Sequence, residues 1–600
     1  MIRFAGDSGD GMQLTGTRFT ETTAIVGNDL STLPDYPAEI RAPAGSLAGV
    51  SAFQLHFSSK EIHTPGDQPD VLVAMNPAAL KVHLSDLMPG GIIITNESAF
   101  SPKNLKLAGY ESNPLEDDTL DSYELYSIEM SRLVATACED MDISPKTVER
   151  TKNMFALGIL YWIYNRPLEP TINWLGVKFK KRPELIDSNI RALNAGYNYG
   201  DTVEIFTTRF AVEKAPLAAG KYRNINGNFA TSVGLLAASE KANIPLFYGG
   251  YPITPASDIL HTLASFRHFG VKTFQAEDEI AGISSAIGAS FAGNIGVTAS
   301  SGPGIALKSE AIGLAVIAEL PLVIVNVQRG GPSTGLPTKT EQSDLFQALY
   351  GRNGEAPVPL IAAQTPGDCF YAAFEACQVA IKYRTPVFML SDGYLANGSE
   401  PWSIPNFDDL PSIHPDFSDN ENGTPFMPYA RDDKTLARPW ATPGTPGLEH
   451  RIGGLEKEDV TGNVSYDPEN HHHMTELRAK KVANIAQDIP PTEILGAASG
   501  DLLILSWGGT YGSCRSATER LQNESKRVSL VHLRWLNPLP KDLGEILIRF
   551  KNVLIPELNM GQLSKMIRAD YLVDAQGLNH VRGRPLRAAD IVTKAQKLIG

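Results

Sequence analysis

The sequence predicts an α/β protein made of three parallel-sheet domains and a Pro-rich strap, and three observations carry that reading. At 600 residues the chain is well past the ~250–300 residues at which a single hydrophobic core stops growing. Three stretches alternate apolar strand-like runs with helix-like periodicity, the pattern of a parallel sheet covered by helices. Residues 401–448 hold nine prolines, a density that opposes regular structure and predicts an irregular strap lying over the surface or across a neighbour.

The elements follow in order. In residues 1–195, IRFAG (2–6), VLVAM (71–75) and GGIIITN (90–96) read as strands, and PAALKVHLSDL (77–87) as a helix. NMFALGILYWIYN (153–165) is apolar on nearly every face, which predicts a well-buried helix. Residues 196–225 show no period and read as a linker. The second block, 226–398, offers strands at PLFYGG (245–250), IGVTAS (295–300), PLVIVNV (321–327) and TPVFMLSD (385–392). Residues 399–490 contain the strap and a linker helix at 474–487. The last block, 491–600, alternates again, with strands at DLLILSW (501–507), RVSLVHLRW (527–535) and NVLIPEL (552–558).

Composition excludes several classes of function. Hydrophobic residues make up 42% and charged residues 20%, ordinary for a globular chain and wrong for a disordered one. The 53 Lys+Arg against 67 Asp+Glu leave a net charge of −14, which argues against general nucleic-acid or anionic-membrane binding. The best membrane-span candidate, 311–327, is broken by Glu319 and Pro321 and reads as a helix end followed by a buried strand. MIRFAGDSGDGM at the start lacks a charged-then-apolar leader pattern. The four cysteines (Cys138, Cys369, Cys377, Cys514) form no CxxC pair, which predicts reduced, buried thiols in a cytoplasmic chain with no metal or cluster cassette of its own.

Several stretches could carry chemistry. Tyr248–Ser257, YGGYPITPAS, leaves a buried strand, and its two prolines fix a rigid loop at the C-terminal sheet edge, where open α/β sheets bind ligands. Thr254 is free there to donate or accept; the plainer alternative is that Thr254 or Ser257 caps the next helix. Phe274–Glu279 ends in three acids, and ten of the thirteen residues from Ala281 to Gly293 are Gly, Ala or Ser. Acids suit a helix N-terminus on electrostatic grounds alone, whereas the small residues permit very close packing against another element or a cofactor. Arg329, in QRGGPSTGLPT (328–338), ends a buried strand and is placed to fork onto a carboxylate, or alternatively to make a structural salt bridge. SSGPG (300–304) belongs to the same edge, and converging loops there predict a pocket.

Three weaker patterns also stand out. Gly6-Asp7-Ser8-Gly9-Asp10-Gly11 follows a strand, but its acids oppose a phosphate, so a tight turn or subunit contact competes with a nucleotide site. Gly331–Gly335 spells GxSxG around Ser333, while Pro332 and Pro337 oppose the strand-to-helix turn a hydrolase needs. His471–His473 reads as a solvated helix start rather than a metal site.

YPITPAS, EDEIAGISSAIGASFAG, SSGPG and QRGGPSTGLPT, with GLEH (447–450), SWGGTYG (506–512) and PELNMGQL (556–563), resemble in this order the α subunit of 2-oxoacid:ferredoxin oxidoreductases. The resemblance covers essentially the whole chain, with 1–195 similar to a fused γ domain, 226–398 to a thiamine-diphosphate-enzyme pyrimidine domain, and 491–600 to a transketolase C-terminal domain. A fused chain of this length resembles the 2-oxoglutarate type. The resemblance implies oxidative decarboxylation of 2-oxoglutarate with coenzyme A to succinyl-CoA, CO2 and reduced ferredoxin. Pyruvate or branched-chain 2-oxoacids are alternatives.

By the same resemblance, one Glu serves the thiamine diphosphate aminopyrimidine ring. Related families place small residues after it at +3, +6 and +7 and Gly at +9. From Glu279 those positions are Gly282, Ser285, Ala286 and Gly288, which all match; from Glu277 only one does, so Glu279 is the choice and Glu277 the runner-up. Thr254 is implied near the substrate, Tyr251, Pro252 and Ile253 beside the cofactor, and Arg329 on the substrate 1-carboxylate, with Arg41 a candidate for the distal carboxylate. This chain holds neither a full Mg2+-diphosphate motif nor cluster cysteines, so Mg2+ and a [4Fe–4S] cluster are expected on a β subunit in an (αβ)2 assembly that passes electrons to ferredoxin. A nicotinamide dehydrogenase resting on Gly6–Gly11, and a non-catalytic assembly subunit, are the rival readings.

Overall fold

The computed structural model describes every residue except 38–41, 44, 204–208 and 420–424. The chain divides into two compact units, Met1–Asn224 with Gly398–Ser403, and Ile225–Asn397 with Ile404–Gly600.

The first unit is built on a six-stranded sheet in the order Asp29–Asp35, Val50–Ser58, Ile2–Asp7, Val71–Ala74, Ile92–Asn96, Glu124–Ile128. The last four run parallel, as the strand–helix alternation predicts. Val50–Ser58, however, is antiparallel to both of its neighbours, so the sheet is mixed rather than wholly parallel. Among the described residues between Asp29–Asp35 and Val50–Ser58 there is a short 3-10 turn, Leu47–Gly49, and no crossover helix, which a parallel return would need.

Helix Lys152–Ile163 is buried along almost its whole length. Its Gly158 lies against helix Pro183–Thr202 so closely that an added Cβ would sit 2.1 Å from the Leu193 carbonyl oxygen; Gly196 on the partner meets the Phe155 carbonyl at 2.0 Å in the same way. That backbone contact, together with helices Met12–Val26 and Met130–Ala137 packed against its other faces, explains why the helix is apolar all round. The partner helix also runs past residue 195, so the first residues of the expected linker are helical.

In the second unit a seven-stranded sheet runs in the order Trp535–Asn537, Leu360–Ala362, Pro386–Asp392, Leu322–Gln328, Ile295–Ser300, Leu246–Gly250, Lys272–Gln275. All pairings are parallel except that of Trp535–Asn537, which is antiparallel to Leu360–Ala362. A second sheet, Val528–Leu533, Gly500–Trp507, Phe550–Glu557, Ala575–Asn579, is fully parallel. The C-terminal block thus lends a strand to the central sheet, and one apolar core, including Ile324, Phe388, Trp507 and Leu533, runs through both. The two blocks that the sequence presents as separate domains form a single unit.

The strap is irregular over most of its length, as its prolines demand, but it opens with strand Ser399–Ser403 in the first unit. Its later part is pinned to the second unit by charge. Glu319, 1% exposed, is bonded by Arg431 and Lys481, and Arg438 Nε donates to the Ala318 carbonyl at 3.0 Å. Helix Pro468–Asn484 starts earlier than predicted and carries His471–His473 in its first turns. These meet different acids, His471 with Glu456 at 2.8 Å and His473 with Asp459 at 3.0 Å, so they do not converge on one ion. No helix among the described residues is long and apolar enough to cross a membrane. All four cysteines are buried, and none of them forms a disulfide among the described residues.

Candidate functional site

The predicted loops meet at the C-terminal edge of the seven-stranded sheet. Strand Leu246–Gly250 ends in the Tyr251–Ala256 loop, which is held from behind by Asn228 donating to the Pro255 carbonyl at 2.8 Å. Helix Ser257–Ser265 follows with Ala256 as its N-cap and no side-chain cap bond, so neither Thr254 nor Ser257 serves as the cap. Tyr251 and Thr254 are exposed, and Pro252 and Ile253 half-buried.

Two acids of the next loop part company. Glu277 is exposed, whereas Glu279 is 9% exposed and begins helix Glu279–Phe291. Asp278 between them is the N-cap, accepting from the Ala281 N–H at 2.7 Å. The small residues of this helix let it ride on the strand: a Cβ on Gly249 would lie 2.4 Å from the Gly282 carbonyl oxygen and 2.3 Å from Ser285 Oγ. That contact turns the Glu279 side chain toward the adjoining SSGPG turn. A Cβ on Gly304 would lie 2.0 Å from Ser300 Oγ and 2.9 Å from Glu279 Cγ, so only glycine fits between them.

Arg329 follows strand Leu322–Gln328 and is 7% exposed. Its Nη1 donates to the Thr254 carbonyl at 2.7 Å, which ties two of the predicted loops together directly. Among the described residues its Nε has no hydrogen-bond partner, and neither do the buried hydroxyls of Ser300 and Ser301. Burial lowers the Arg329 pKa, and nearby Asp344 opposes the shift. The Asp344 carboxyl is itself pushed up to about 6 by burial, against a bond from Asn326 Nδ2 at 3.0 Å. Within the chain Arg329 therefore holds a backbone carbonyl rather than a structural salt bridge, and part of its guanidinium has no partner among the described residues.

Lys308, Asp344 and Asn326 are site-edge residues that the sequence reading passed over. A signal existed for Lys308, a lone cation within the apolar run GIALKSEAIGLAVIA (304–318). Asp344 and Asn326 carry no comparable mark, because only the fold brings them under the SSGPG turn.

The remaining patterns resolve locally. Ser333 sits in an exposed loop, and the next helix, Leu345–Tyr350, starts well beyond it, so the strand-to-helix turn of a hydrolase is not formed. In the first unit the Gly6–Gly11 loop is closed by its own acid: Asp10 accepts from the Asp7 N–H at 2.8 Å and from Asn76 at 3.0 Å, with Lys152 at 3.1 Å. A carboxylate thus occupies the position a phosphate would need, which favours the tight-turn reading over a dinucleotide site. Arg41 lies outside the described residues. Among the described residues no three His, Cys, Asp or Glu side chains gather as a metal site.

Comparison with known proteins bears on these motifs. The family model described as pyruvate flavodoxin/ferredoxin oxidoreductase, thiamine diphosphate-binding, matches residues 239–467, and that of pyruvate ferredoxin/flavodoxin oxidoreductase matches residues 1–199. The chain is 52% identical over 592 residues to the 2-oxoglutarate oxidoreductase subunit KorA of Mycobacterium tuberculosis, covering 98% of this chain and 90% of that one. It is 32% identical over 358 residues to the 2-oxoglutarate synthase subunit KorA of Archaeoglobus fulgidus, covering 59% and 93%. A solved 2-oxoglutarate:ferredoxin oxidoreductase from Magnetococcus marinus, with 2-oxoglutarate, coenzyme A and succinyl-CoA bound, superposes with a TM-score of 0.87 at 31% identity, covering 100% and 99%. Near-complete coverage in both sequence and structure leaves no part of either unit outside the match, and the chain belongs to the 2-oxoacid:ferredoxin oxidoreductases, as an α subunit of the 2-oxoglutarate type with a fused γ domain.

Proposed function

We propose that this chain supplies one half of the active site of a 2-oxoglutarate:ferredoxin oxidoreductase. The observation that carries the reading is the 2.7 Å bond from Arg329 to the Thr254 carbonyl, at the same sheet edge as the buried Glu279. It joins a carboxylate-binding cation to a loop beside a proton-holding acid. Thiamine diphosphate fits these residues, because the buried Ser300 and Ser301 hydroxyls and the Arg329 Nε lack partners among the described residues and can serve a polar ligand.

The bound cofactor supplies the electron sink that lets CO2 leave a 2-oxoacid. The chain's own residues bind and position. Glu279 holds a proton at its carboxylate against the aminopyrimidine nitrogen. Arg329 takes the substrate 1-carboxylate in a charge-assisted contact strengthened by burial. Thr254 contributes its hydroxyl beside the keto carbon, and Tyr251, Pro252 and Ile253 form the lip against the ring. A β subunit completes the site with Mg2+, the diphosphate contacts and a [4Fe–4S] cluster, within an (αβ)2 assembly. Electrons leave singly to ferredoxin, and coenzyme A takes the succinyl group. The net charge of −14 directs an acidic ferredoxin to the β subunit rather than to this surface. Arg41 is assigned to the distal carboxylate of 2-oxoglutarate.

Co-expression with the β chain under anoxia tests the whole reading through viologen reduction. The expected result is CoA-dependent reduction, fastest with 2-oxoglutarate and slower with pyruvate or 2-oxoisovalerate. A cluster-loaded complex that reduces viologen with none of them sinks the assignment, and a preference for another acid moves it to that substrate. Arg329→Ala in the same complex is expected to raise the KM for the 2-oxoacid by about 10- to 100-fold, the worth of a hydrogen bond to a charged group. It also lowers kcat through lost orientation. An unchanged KM would remove Arg329 from the substrate contact.

A further inference from the structure

A cavity of about 610 Å³, within the size range of small-molecule sites, lies between the end of helix Asp368–Tyr383 and the strap. Lys382, Arg384, Arg431 and Arg438 line it with His414, against two acids, Asp416 and Asp432. Ile381, Ile413 and Pro439 supply an apolar wall. The acids do little to balance the cations. Both are exposed, and Asp432 Oδ1 is taken up within its own turn, accepting from the Thr435 N–H and hydroxyl, each at 2.7 Å. Lys382 is paired with Asp488 at 2.6 Å, and the buried Glu319 is held by Arg431 and Lys481. Arg438 donates to the Ala318 and Pro439 carbonyls, at 3.0 and 2.9 Å. Among the described residues, neither Arg384 nor Arg438 is bonded to a carboxylate.

Arg384 is the least satisfied of these cations. It is 6% exposed. Its Nη2 donates to the Pro415 carbonyl, and the guanidinium lies over the Trp440 ring, 4.9 Å from the centroid. Its Nε and Nη1 have no hydrogen-bond partner among the described residues. Burial lowers its pKa to about 10; the charge of Arg438 pushes the same way, and that of Asp416 opposes. Fastening the strap accounts for the Pro415 bond and the stacking on Trp440. It does not account for two idle donors on a buried charge, which cost stability. The backbone does not ask for arginine either. Residue 384 closes the helix in the left-handed region (φ 49°), a place that glycine or asparagine ordinarily takes.

We propose that this cavity is a binding site for a phosphate-bearing small molecule, with Arg384 supplying the principal charge and Arg438 a second. A guanidinium presents forked donors that match phosphate oxygens. Two guanidiniums without an acid suit a dianionic phosphoryl group better than a single carboxylate. The apolar wall and the volume leave room for an organic moiety, as in a nucleoside diphosphate. Arg384 ends the helix, whereas Ile413, Asp416 and Arg438 belong to the strap, so the bound anion bridges the two and holds the strap down. The cavity shares no residue with the sheet edge that carries Glu279 and Arg329, and the site stands independently of the function proposed above.

Calorimetric titration of the assembled enzyme with ADP tests this, with thiamine diphosphate and coenzyme A present at saturation so that their own sites are filled. One ADP per chain is expected to bind, displaced by pyrophosphate and inorganic phosphate but not by adenosine or succinate. Arg384→Gln should weaken binding by about 10- to 100-fold, the worth of a hydrogen bond to a charged group. Asp416→Asn removes an exposed acid from the rim and should tighten binding by about two- to fivefold, the scale of a surface charge interaction. Asparagine tolerates the left-handed backbone at that position (φ 44°), so the variant keeps its fold. ADP should also slow cleavage within residues 425–450 in limited proteolysis of wild type and fail to do so in Arg384→Gln. Pyrophosphate binding as tightly as ADP supports the site and assigns recognition to the phosphoryl groups alone. ADP that binds no better than adenosine, or that succinate displaces, overturns the proposal. So does weakened binding by Arg384→Gln with an unchanged Asp416→Asn, which marks a loosened strap rather than a lost contact.

Discussion

Glu279→Gln lowers turnover of the assembled enzyme by about 10²- to 10⁴-fold, the range over which a positioned acid–base group acts. The substitution keeps the size of the side chain and removes its ability to exchange a proton. Folding should be preserved, because the helix is capped by Asp278 rather than by Glu279, and the crowded contact with Gly304 is unchanged in volume. The exposed Glu277 provides the control, since Glu277→Gln should leave turnover within about threefold if Glu279 is the single acid of this edge. The measurement is 2-oxoglutarate-dependent viologen reduction by complexes matched for cluster content. Turnover by Glu279→Gln within a few-fold of wild type would falsify its role and would favour the reading of this chain as an assembly subunit.

Glu319→Gln destabilises the second unit by about 3–5 kcal/mol, the cost of removing one partner from a buried charge pair. Glu319 adopts a left-handed backbone (φ 50°) at the end of helix Ser309–Ala318, and its carboxylate accepts from Arg431 Nη1 at 2.6 Å as well as from Lys481. With a neutral amide in its place, two buried cations face each other without compensation. Their mutual attraction to the carboxylate holds the Glu319 pKa at about 2, well below the usual glutamate range, despite its burial. The contribution is therefore fully present above the unfolded pKa of about 4.5 and is lost as pH falls toward 2. Thermal melting and limited proteolysis check it together. The variant should melt earlier at pH 7 and be cleaved within residues 425–450, where Arg431 and Arg438 fasten the strap. As pH falls through 4 its melting point should converge on that of wild type, whose own advantage is disappearing. An unchanged melting point with an intact strap would show that the packing of Tyr429 and Trp440, both buried, suffices without the charge.

How much was legible beforehand depended on the range of the interaction. Strands Ile2–Asp7, Val71–Ala74, Ile295–Ser300 and Leu322–Gln328 could be read directly, because a buried strand announces itself through its own apolar side chains. The preference for Glu279 over Glu277 was readable too. It came from the spacing of small residues in the related families, and the fold shows its physical basis: Gly282 and Ser285 lie against Gly249, and Glu279 is buried while Glu277 is exposed. The antiparallel course of Val50–Ser58 was not readable. Direction within a sheet is decided by the partner strand, and the segment's own pattern suits either direction. The same holds for Trp535–Asn537, three residues whose strand character exists only through pairing with Leu360–Ala362.

The sequence by itself determined the class of protein, an acidic, cysteine-poor α/β chain whose ordered loop motifs mark one sheet edge. Those properties are local: turn chemistry, periodicity and residue size act between near neighbours. Only the tertiary structure decided that the two later blocks share a core, that Arg329 reaches Thr254 across 75 positions, and that Glu319 anchors Arg431 and Lys481 across 112 and 162. Charge in a water-free interior is compensated by whatever the fold brings alongside, and composition alone carries no record of that placement.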